Sequence, residues 1–291
     1  MDKPLYISKN TKDILKRYNF SMTKGLGQNF LIDGQMIEKI CQASNLSKND
    51  SILEIGPGIG TLSQCLCERS RFVLAVEIDQ ELATIHHETL PYENLKVIYE
   101  DFLKLNLQNL FNTYLKEPPI KVIANIPYYI TTPIIMKLLE ESLPIDTITV
   151  MVQKEVAERL TASPGSKNYG AISAVIAYHT QAEIVFTVPK SVFLPQPKVD
   201  SAVIVMTRHK TPPVTLESEE LFFKLIKGSF GQRRKTMINS VSGTIPSIKK
   251  DTLKSVLEKL GYNPALRGET LGIEDFAIIS NALHHHTKLN P

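Results

Sequence analysis

Four apolar runs end on or beside a residue that can do chemistry: Gly56 after "SILEI", Glu77 in "FVLAVE", Asp101 in "KVIYED" and Asn125 in "IKVIAN". Gly56, Gly58 and Gly60 follow the first run at once, and glycines there let a backbone approach a ligand closely. The pattern is Gly-x-Gly-x-Gly with a proline inside, not the Gly-x-Gly-x-x-Gly that cradles a pyrophosphate. Glu77 stands twenty-one residues after Gly56, a spacing at which an acid commonly accepts hydrogen bonds from ribose hydroxyls. Asp101 suits a helix N-cap equally well when taken alone. As a set, the four residues line the carboxyl ends of successive strands, where doubly wound sheets bind ligands. No Walker lysine follows the glycines, which argues against a nucleoside triphosphatase, and nothing resembling a hydride-transfer site supports NAD. S-adenosyl-L-methionine fits best, with ribose on Glu77, adenine near Asp101 and the methionine end over the glycine turn.

Such residues need elements that bring strand ends together. Apolar runs predict strands over 51–56, 71–79, 94–101, 120–125 and 146–153, alternating with helices near 60–69, 80–89, 106–115, 132–141 and 154–161. Strands that are apolar nearly throughout, separated by amphipathic helices, specify an α/β fold with a mostly parallel sheet covered on both faces. Ahead of them lie a helical segment over 11–18 and the loop "KGLGQNFLID", whose Asp33 is a good N-cap. After Thr161 the loop "SPGSKNYG" and a helix through Ile172, Val175 and Ile176 precede two further strands, 182–188 and 201–207. These two are expected to pair antiparallel at the end of the sheet. "RHKTPPV" reads as a linker, and from Leu216 onward the apolar spacing is helical. The expected domains are 1–208, including a basic extension over 1–24, and a helical 209–291.

Composition narrows the class. With 291 residues, 43% of them apolar, the chain buries a sizeable core. No apolar run is long enough to span a membrane, and the N-terminus, with no apolar core, does not read as a secretory signal. Cys41, Cys65 and Cys67 are too few for a disulfide framework, so a reduced, cytoplasmic setting is expected. Cys65-x-Cys67 has no second ligand pair and His284-His285-His286 reads as a solvated tail, so no metal is expected. Charge is uneven: residues 1–24 hold six Lys/Arg against two Asp/Glu and residues 209–291 twelve against eight, while the middle is net acidic. Basic ends around an acidic centre suit a polyanion gripped away from the reaction site, although a normally solvated surface gives the same pattern.

The motifs "GQNFL", "EIGPGIGTL", "EDFL", "NIPYYI" and "VFLPQPKVDSAV", in that order, resemble the ribosomal RNA adenine dimethyltransferases, with the bacterial small-subunit enzymes closest. "SFGQRRKT" (229–236) is similar to a segment of their C-terminal domain. The resemblance implies a class I S-adenosylmethionine-dependent methyltransferase fold, Rossmann-like, with a small all-α C-terminal domain. It implies cofactor contacts from Asn29, Leu31, Gly56, Glu77, Asp101 and Asn125, with Gln28 supporting the same loop and Gly58 part of the glycine turn. The implied substrate is a pair of adjacent adenosines in a hairpin loop near the 3′ end of 16S rRNA within the immature small subunit. Each adenosine would receive two methyl groups.

The exocyclic amine of adenine is a poor nucleophile, because its lone pair is delocalised into the ring. Acceptors on both N–H groups redirect that lone pair toward the methyl, a task for the Asn125 side-chain oxygen and the Ile126 carbonyl. Pro127 keeps the local backbone out of a helix. Tyr128 is expected to stack on the flipped base and Phe193 to cover its other face, while Tyr129 packs against the loop. No acid–base residue is required. Arg233, Arg234 and Lys235, with Lys16, Arg17 and Lys24 at the other end, are the candidate phosphate contacts. Three other readings compete: a large-subunit adenine methyltransferase of the resistance type, a DNA adenine methyltransferase, and a ribosome-assembly factor acting chiefly by binding. A monomer is expected.

Overall fold

The structure, a computed structural model, describes residues 4–20, 24–232 and 234–289. The chain divides into two compact units, Met1–Ala157 with Glu183–Arg208, and Glu158–Ala182 with His209–Pro291. The first begins with α1 (Ser8–Arg17), β1 (Phe30–Leu31) and α2 (Gly34–Ala43). Asp33 caps α2 by accepting the Met36 N–H at 3.0 Å, as its position predicts. The alternation then runs β2 (Ser51–Ile55), α3 (Thr61–Arg69), β3 (Phe72–Glu77), α4 (Ala83–Thr89), β4 (Leu95–Tyr99), α5 (Leu107–Tyr114), β5 (Ile120–Asn125), α6 (Thr131–Glu140) and β6 (Thr147–Gln153). Beyond α7 (Lys154–Leu160) and α8 (Ala171–His179) come β7 (Thr180–Val188), β8 (Phe193–Leu194) and β9 (Ser201–Arg208).

Seven strands form one sheet in the order β4-β3-β2-β5-β6-β9-β7. The pairings β2 with β3, β3 with β4, β2 with β5 and β5 with β6 are parallel, and β9 runs antiparallel to β6. Every residue of β2 is buried, whereas the terminal strand β7 exposes Ile184 and Val185. Continuous apolar runs are thus interior strands with both faces covered, and partial exposure marks the edges. Chain order moves outward from β2 to β4 and restarts at β5, so the topological switch falls between β2 and β5, whose carboxyl ends hold Gly56 and Asn125. Lys121, an odd residue for an apolar strand, is buried and donates to Asp50 Oδ2 at 2.9 Å and to the Asn45 carbonyl at 2.6 Å. Those acceptors satisfy a cation that would otherwise be unpaired in the interior.

Two short strands form a separate ribbon that no periodicity predicts. Phe30 pairs with Leu194 and Leu31 with Phe193, antiparallel, and the Ile32 N–H extends the ladder to the Val192 carbonyl at 2.9 Å. The ribbon clasps "GQNFL" to "VFLPQP".

The second unit holds α8 with α9 (Glu219–Ser229), α10 (Met237–Thr244), α11 (Lys250–Lys259) and α12 (Ile273–Leu289). Its core joins Tyr169 and Ala174 to Phe222, Leu225, Val241 and Phe276. The Tyr169 hydroxyl donates to the Leu271 carbonyl at 2.9 Å, and the Tyr178 ring lies 5.1 Å from Phe222. These contacts correct the expected boundary at 209: residues 158–182 belong with the C-terminal helices, because α8 is apolar nearly throughout and finds its core there. His284–His286 are part of α12, with His285 exposed. Among the described residues no helix is long and apolar enough to cross a membrane.

Candidate active site

The ends of β2, β3 and β5, the segment before β1 and the segment after β4 open into one cleft, lined by Gln28, Asn29, Gly56, Glu77, Asp101, Asn125, Ile126, Pro127 and Tyr128. Glu77 is 4% exposed, yet each of its oxygens has a backbone donor: Gly58 N–H on Oε2 at 3.0 Å and Asp79 N–H on Oε1 at 2.9 Å. Burial raises its pKa above the ordinary carboxylate value, and the two N–H groups oppose that rise. Each oxygen keeps a further lone pair for a hydroxyl donor. Gly56 sits at φ +72°, and a Cβ there would lie 3.7 Å from Pro127 Cδ and 3.8 Å from the Asn125 carbonyl oxygen. Asp101 both lines the cleft and caps the turn Phe102–Lys104, accepting the Leu103 N–H at 3.0 Å. Its other oxygen lies 3.6 Å from the Lys104 ammonium.

Asn125 is oriented by its partner. Its Nδ2 donates to the Asn29 carbonyl at 3.1 Å, and Asn29 Nδ2 donates to the Gly27 carbonyl at 2.9 Å. A carbonyl only accepts, so the amide nitrogen of Asn125 must face Asn29, and Oδ1 is the end left to accept from a ligand. Ile126 is buried and its N–H donates to the Met151 carbonyl at 3.3 Å. Pro127, at φ −54° and ψ 132°, turns the chain into the tight turn Tyr128–Ile130. The Tyr128 hydroxyl and Ser201 Oγ are 2.6 Å apart, and burial raises the pKa of the phenol. Tyr129 is 55% exposed and lies over Gly27, where an added Cβ would come within 3.2 Å of its ring.

Other expected residues fall elsewhere. Phe193 is 3% exposed in a core cluster with Leu31, Ile37 and Ile40, and it does not line the cleft. The β1–β8 pairing draws its ring inward, which corrects the expectation that it covers the base. Leu31 is in the same cluster, so its side chain is core and not cleft wall. Gly58 also stays off the lining, because a Cβ there would meet the Phe30 ring at 2.9 Å. Gln28 donates to Asp79 Oδ2 at 2.6 Å, fixing the loop to the end of β3. Lys16 and Arg17 are exposed in the last turn of α1, and Arg234 and Lys235 are exposed on the turn between α9 and α10. Arg233 and the side chain of Lys24 lie outside the described residues.

The family model for "Ribosomal RNA adenine dimethylase" matches residues 19–278. The chain belongs to that family. This dimethylase is similar to "Ribosomal RNA small subunit methyltransferase A" of Geobacillus sp. (strain WCH70), 48% identical over 289 residues, 98% of this chain and 99% of that one. The protein of the same description from Alkaliphilus oremlandii (strain OhILAs) is 49% identical over 94% of this chain and 96% of its own. Among solved structures, a dimethyladenosine transferase from Plasmodium falciparum superposes with a TM-score of 0.72 at 26% identity, over 85% of this chain and 94% of that chain. The 23S rRNA methyltransferase ErmE gives a TM-score of 0.66 at 25% identity, over 88% and 99%.

The site of this dimethylase also contains residues that the sequence alone did not single out. Ser201 is wholly buried at the head of the apolar run Ala202–Met206, and that mismatch is the signal that could have marked it as the partner of Tyr128. Ile78, 44% exposed, and the buried Phe102 add apolar walls beside Glu77 and Asp101.

Proposed function

We propose that the protein transfers methyl groups from S-adenosyl-L-methionine to the exocyclic amines of two adjacent adenosines in a hairpin loop near the 3′ end of 16S rRNA. It does so as a cytoplasmic monomer acting on the immature small subunit. The observation that carries the reading is the fixed amide of Asn125, which lines the same cleft as Tyr128, Gly56 and Glu77 and has its Oδ1 left to accept. The residues fit the cofactor. Glu77 offers a buried carboxylate with lone pairs for a ribose, Ile78 and Phe102 offer apolar faces for an adenine, and Gly56 leaves its Cβ space vacant. Bound cofactor supplies an electrophilic methyl on a sulfonium.

The protein's own part is positioning. Asn125 Oδ1 accepts one amine N–H and the Ile126 carbonyl the other, which turns the nitrogen lone pair toward the methyl donor. Tyr128, anchored by Ser201, stacks on the extruded base, a contact worth about 1–3 kcal/mol. Its ring face and the carbonyl dipoles also stabilise the positive charge that grows on the amine. Arg234 and Lys235, with Lys16 and Arg17, supply sequence-independent phosphate contacts. Relatives 48–49% identical, described as small-subunit enzymes, favour this substrate over the large-subunit alternative, represented by ErmE at 25%. Mass spectrometry of rRNA methylated in vitro on immature small subunits identifies the nucleotide and the methyl count together. Four methyls on two neighbouring 16S adenosines are expected, and methylation of 23S rRNA alone would overturn the assignment. An Asn125→Ala protein that fully restores subunit assembly would favour a role in binding over one in catalysis.

A further inference from the structure

We propose that His86 is a positioning residue for the cofactor: its imidazole fixes the backbone on one side of Gly58, as Glu77 does on the other, and so sets the carboxylate that receives the ribose. The inference rests on the cofactor site described above. His86 lies four residues after Leu82 and four before Leu90, on the buried stripe of α4, and is 3% exposed, whereas the adjacent His87 is exposed. Its Nε2 is 2.5 Å from the Gly58 carbonyl and its Nδ1 is 2.9 Å from the Tyr99 hydroxyl. A carbonyl only accepts, so Nε2 carries the proton. Nδ1 of the neutral ring is then an acceptor, and the Tyr99 hydroxyl donates to it. Burial favours this neutral form, since it holds the pKa of His86 below the ordinary histidine value.

The peptide groups on either side of Gly58 are thereby held by different side chains. The N–H of Gly58 donates to Glu77 Oε2, and its carbonyl receives the His86 N–H. The chain of bonds continues from Glu77 Oε1 to the Asp79 N–H, and from Asp79 Oδ2 to Gln28. One path therefore runs from β4, through α4 and the glycine turn, to the segment before β1. An apolar side chain would fill the His86 site at no desolvation cost. It would leave the Gly58 carbonyl without this donor, and the turn would be free to rotate away from Glu77.

Isothermal titration with S-adenosylhomocysteine on the full chain tests this. His86→Leu is expected to weaken binding about tenfold. The cofactor KM should rise in parallel, kcat should stay within about twofold, and amide exchange should quicken across Gly56–Gly60. His86→Gln keeps an N–H donor near the Nε2 position and should recover affinity to within about threefold of wild type. Unchanged affinity in His86→Leu overturns the proposal. So does equal weakening in the Leu and Gln variants at wild-type Tm, because the ring would then act by packing alone. Should His86→Leu fail to fold, Tyr99→Phe carries the test: it removes only the hydroxyl behind Nδ1, and wild-type affinity there counts against the proposal. A Glu77→Gln control separates the two levels. If that variant binds normally, the ribose site itself is misplaced, whereas loss in Glu77→Gln without loss in His86→Leu defeats only the role of His86.

Discussion

The catalytic and helical units each contain a turn crowded with glycines, Gly56–Gly60 in one and Gly228–Gly231 in the other. In the helical unit a Cβ on Gly228 would meet Ile245 at 2.9 Å, and one on Gly231 would meet the Thr244 methyl at 2.7 Å. The space those glycines vacate is filled by the protein's own side chains. Ser240 pins the same turn, accepting the Gln232 N–H at 3.0 Å and donating to the Gly228 carbonyl at 2.6 Å. Two glycines of the catalytic turn behave in the same way, Gly58 meeting Phe30 and Gly60 meeting Leu90. Gly56 differs, since nothing comes closer than 3.7 Å and its neighbours are Pro127 and Asn125. Glycine number therefore says little about ligands. What matters is whether the missing Cβ faces the protein's own core or the groups that do chemistry.

That contrast can be attacked directly. The largest effect is expected from Asn125→Ala, which deletes the acceptor beside Gly56. Single-turnover methyl transfer should fall by about 100-fold or more, with cofactor affinity altered far less. Next come paired alanine substitutions. Gly56→Ala forces a side chain onto φ +72° beside Asn125 and should cost about tenfold in cofactor affinity. Gly231→Ala crowds Thr244 and should cost about 1–2 kcal/mol of stability with cofactor affinity unchanged. Cofactor loss in Gly231→Ala would break the comparison. Ser201→Ala should lower kcat/KM for RNA by about fivefold by releasing Tyr128, and Tyr128→Phe should match it, since both remove the same bond.

The smallest effect on turnover belongs to a buried carboxyl that faces no cleft. Glu54 is 1% exposed, its Oε2 has no hydrogen-bond partner, and burial raises its pKa to about 8 from 4.5. The folded state thus keeps a proton that the unfolded chain releases. This contribution to stability is complete below pH 4.5 and is lost as pH rises through about 8. Thermal unfolding across that range should show wild-type Tm falling with pH, and Glu54→Gln should flatten the slope. An unchanged slope would mean that Glu54 is ionised in the fold.

The sheet and the four residues at its strand ends were legible because buried parallel strands write continuous apolar runs, and because Gly56, Glu77, Asp101 and Asn125 interrupt those runs at their ends. The clasp between Phe30–Leu31 and Phe193–Leu194 was not, since two-residue strands carry no period. Phe193 was placed over the base from its motif, and the distant partner that seats it in a core cluster leaves no local mark. Residues 158–182 read as part of the catalytic domain because nothing local in "AISAVIAYH" says which core it joins. His86 and Ser201 left only faint marks, each a polar residue on an apolar face.

The clasp has a consequence for the newborn chain. Its first strand emerges early in synthesis and its second only after almost the whole catalytic unit has been made. Pairings so remote in sequence form slowly, because loop closure costs entropy before any contact offsets it. The cleft wall carrying Gln28 and Asn29 therefore has only its bonds to Asp79 and Asn125 while residues 193 and 194 are unmade, although β2 through β5 can already pair. Stalled ribosomes carrying chains that end just short of the second strand should hold β2 through β5 paired but bind cofactor less tightly than the finished protein.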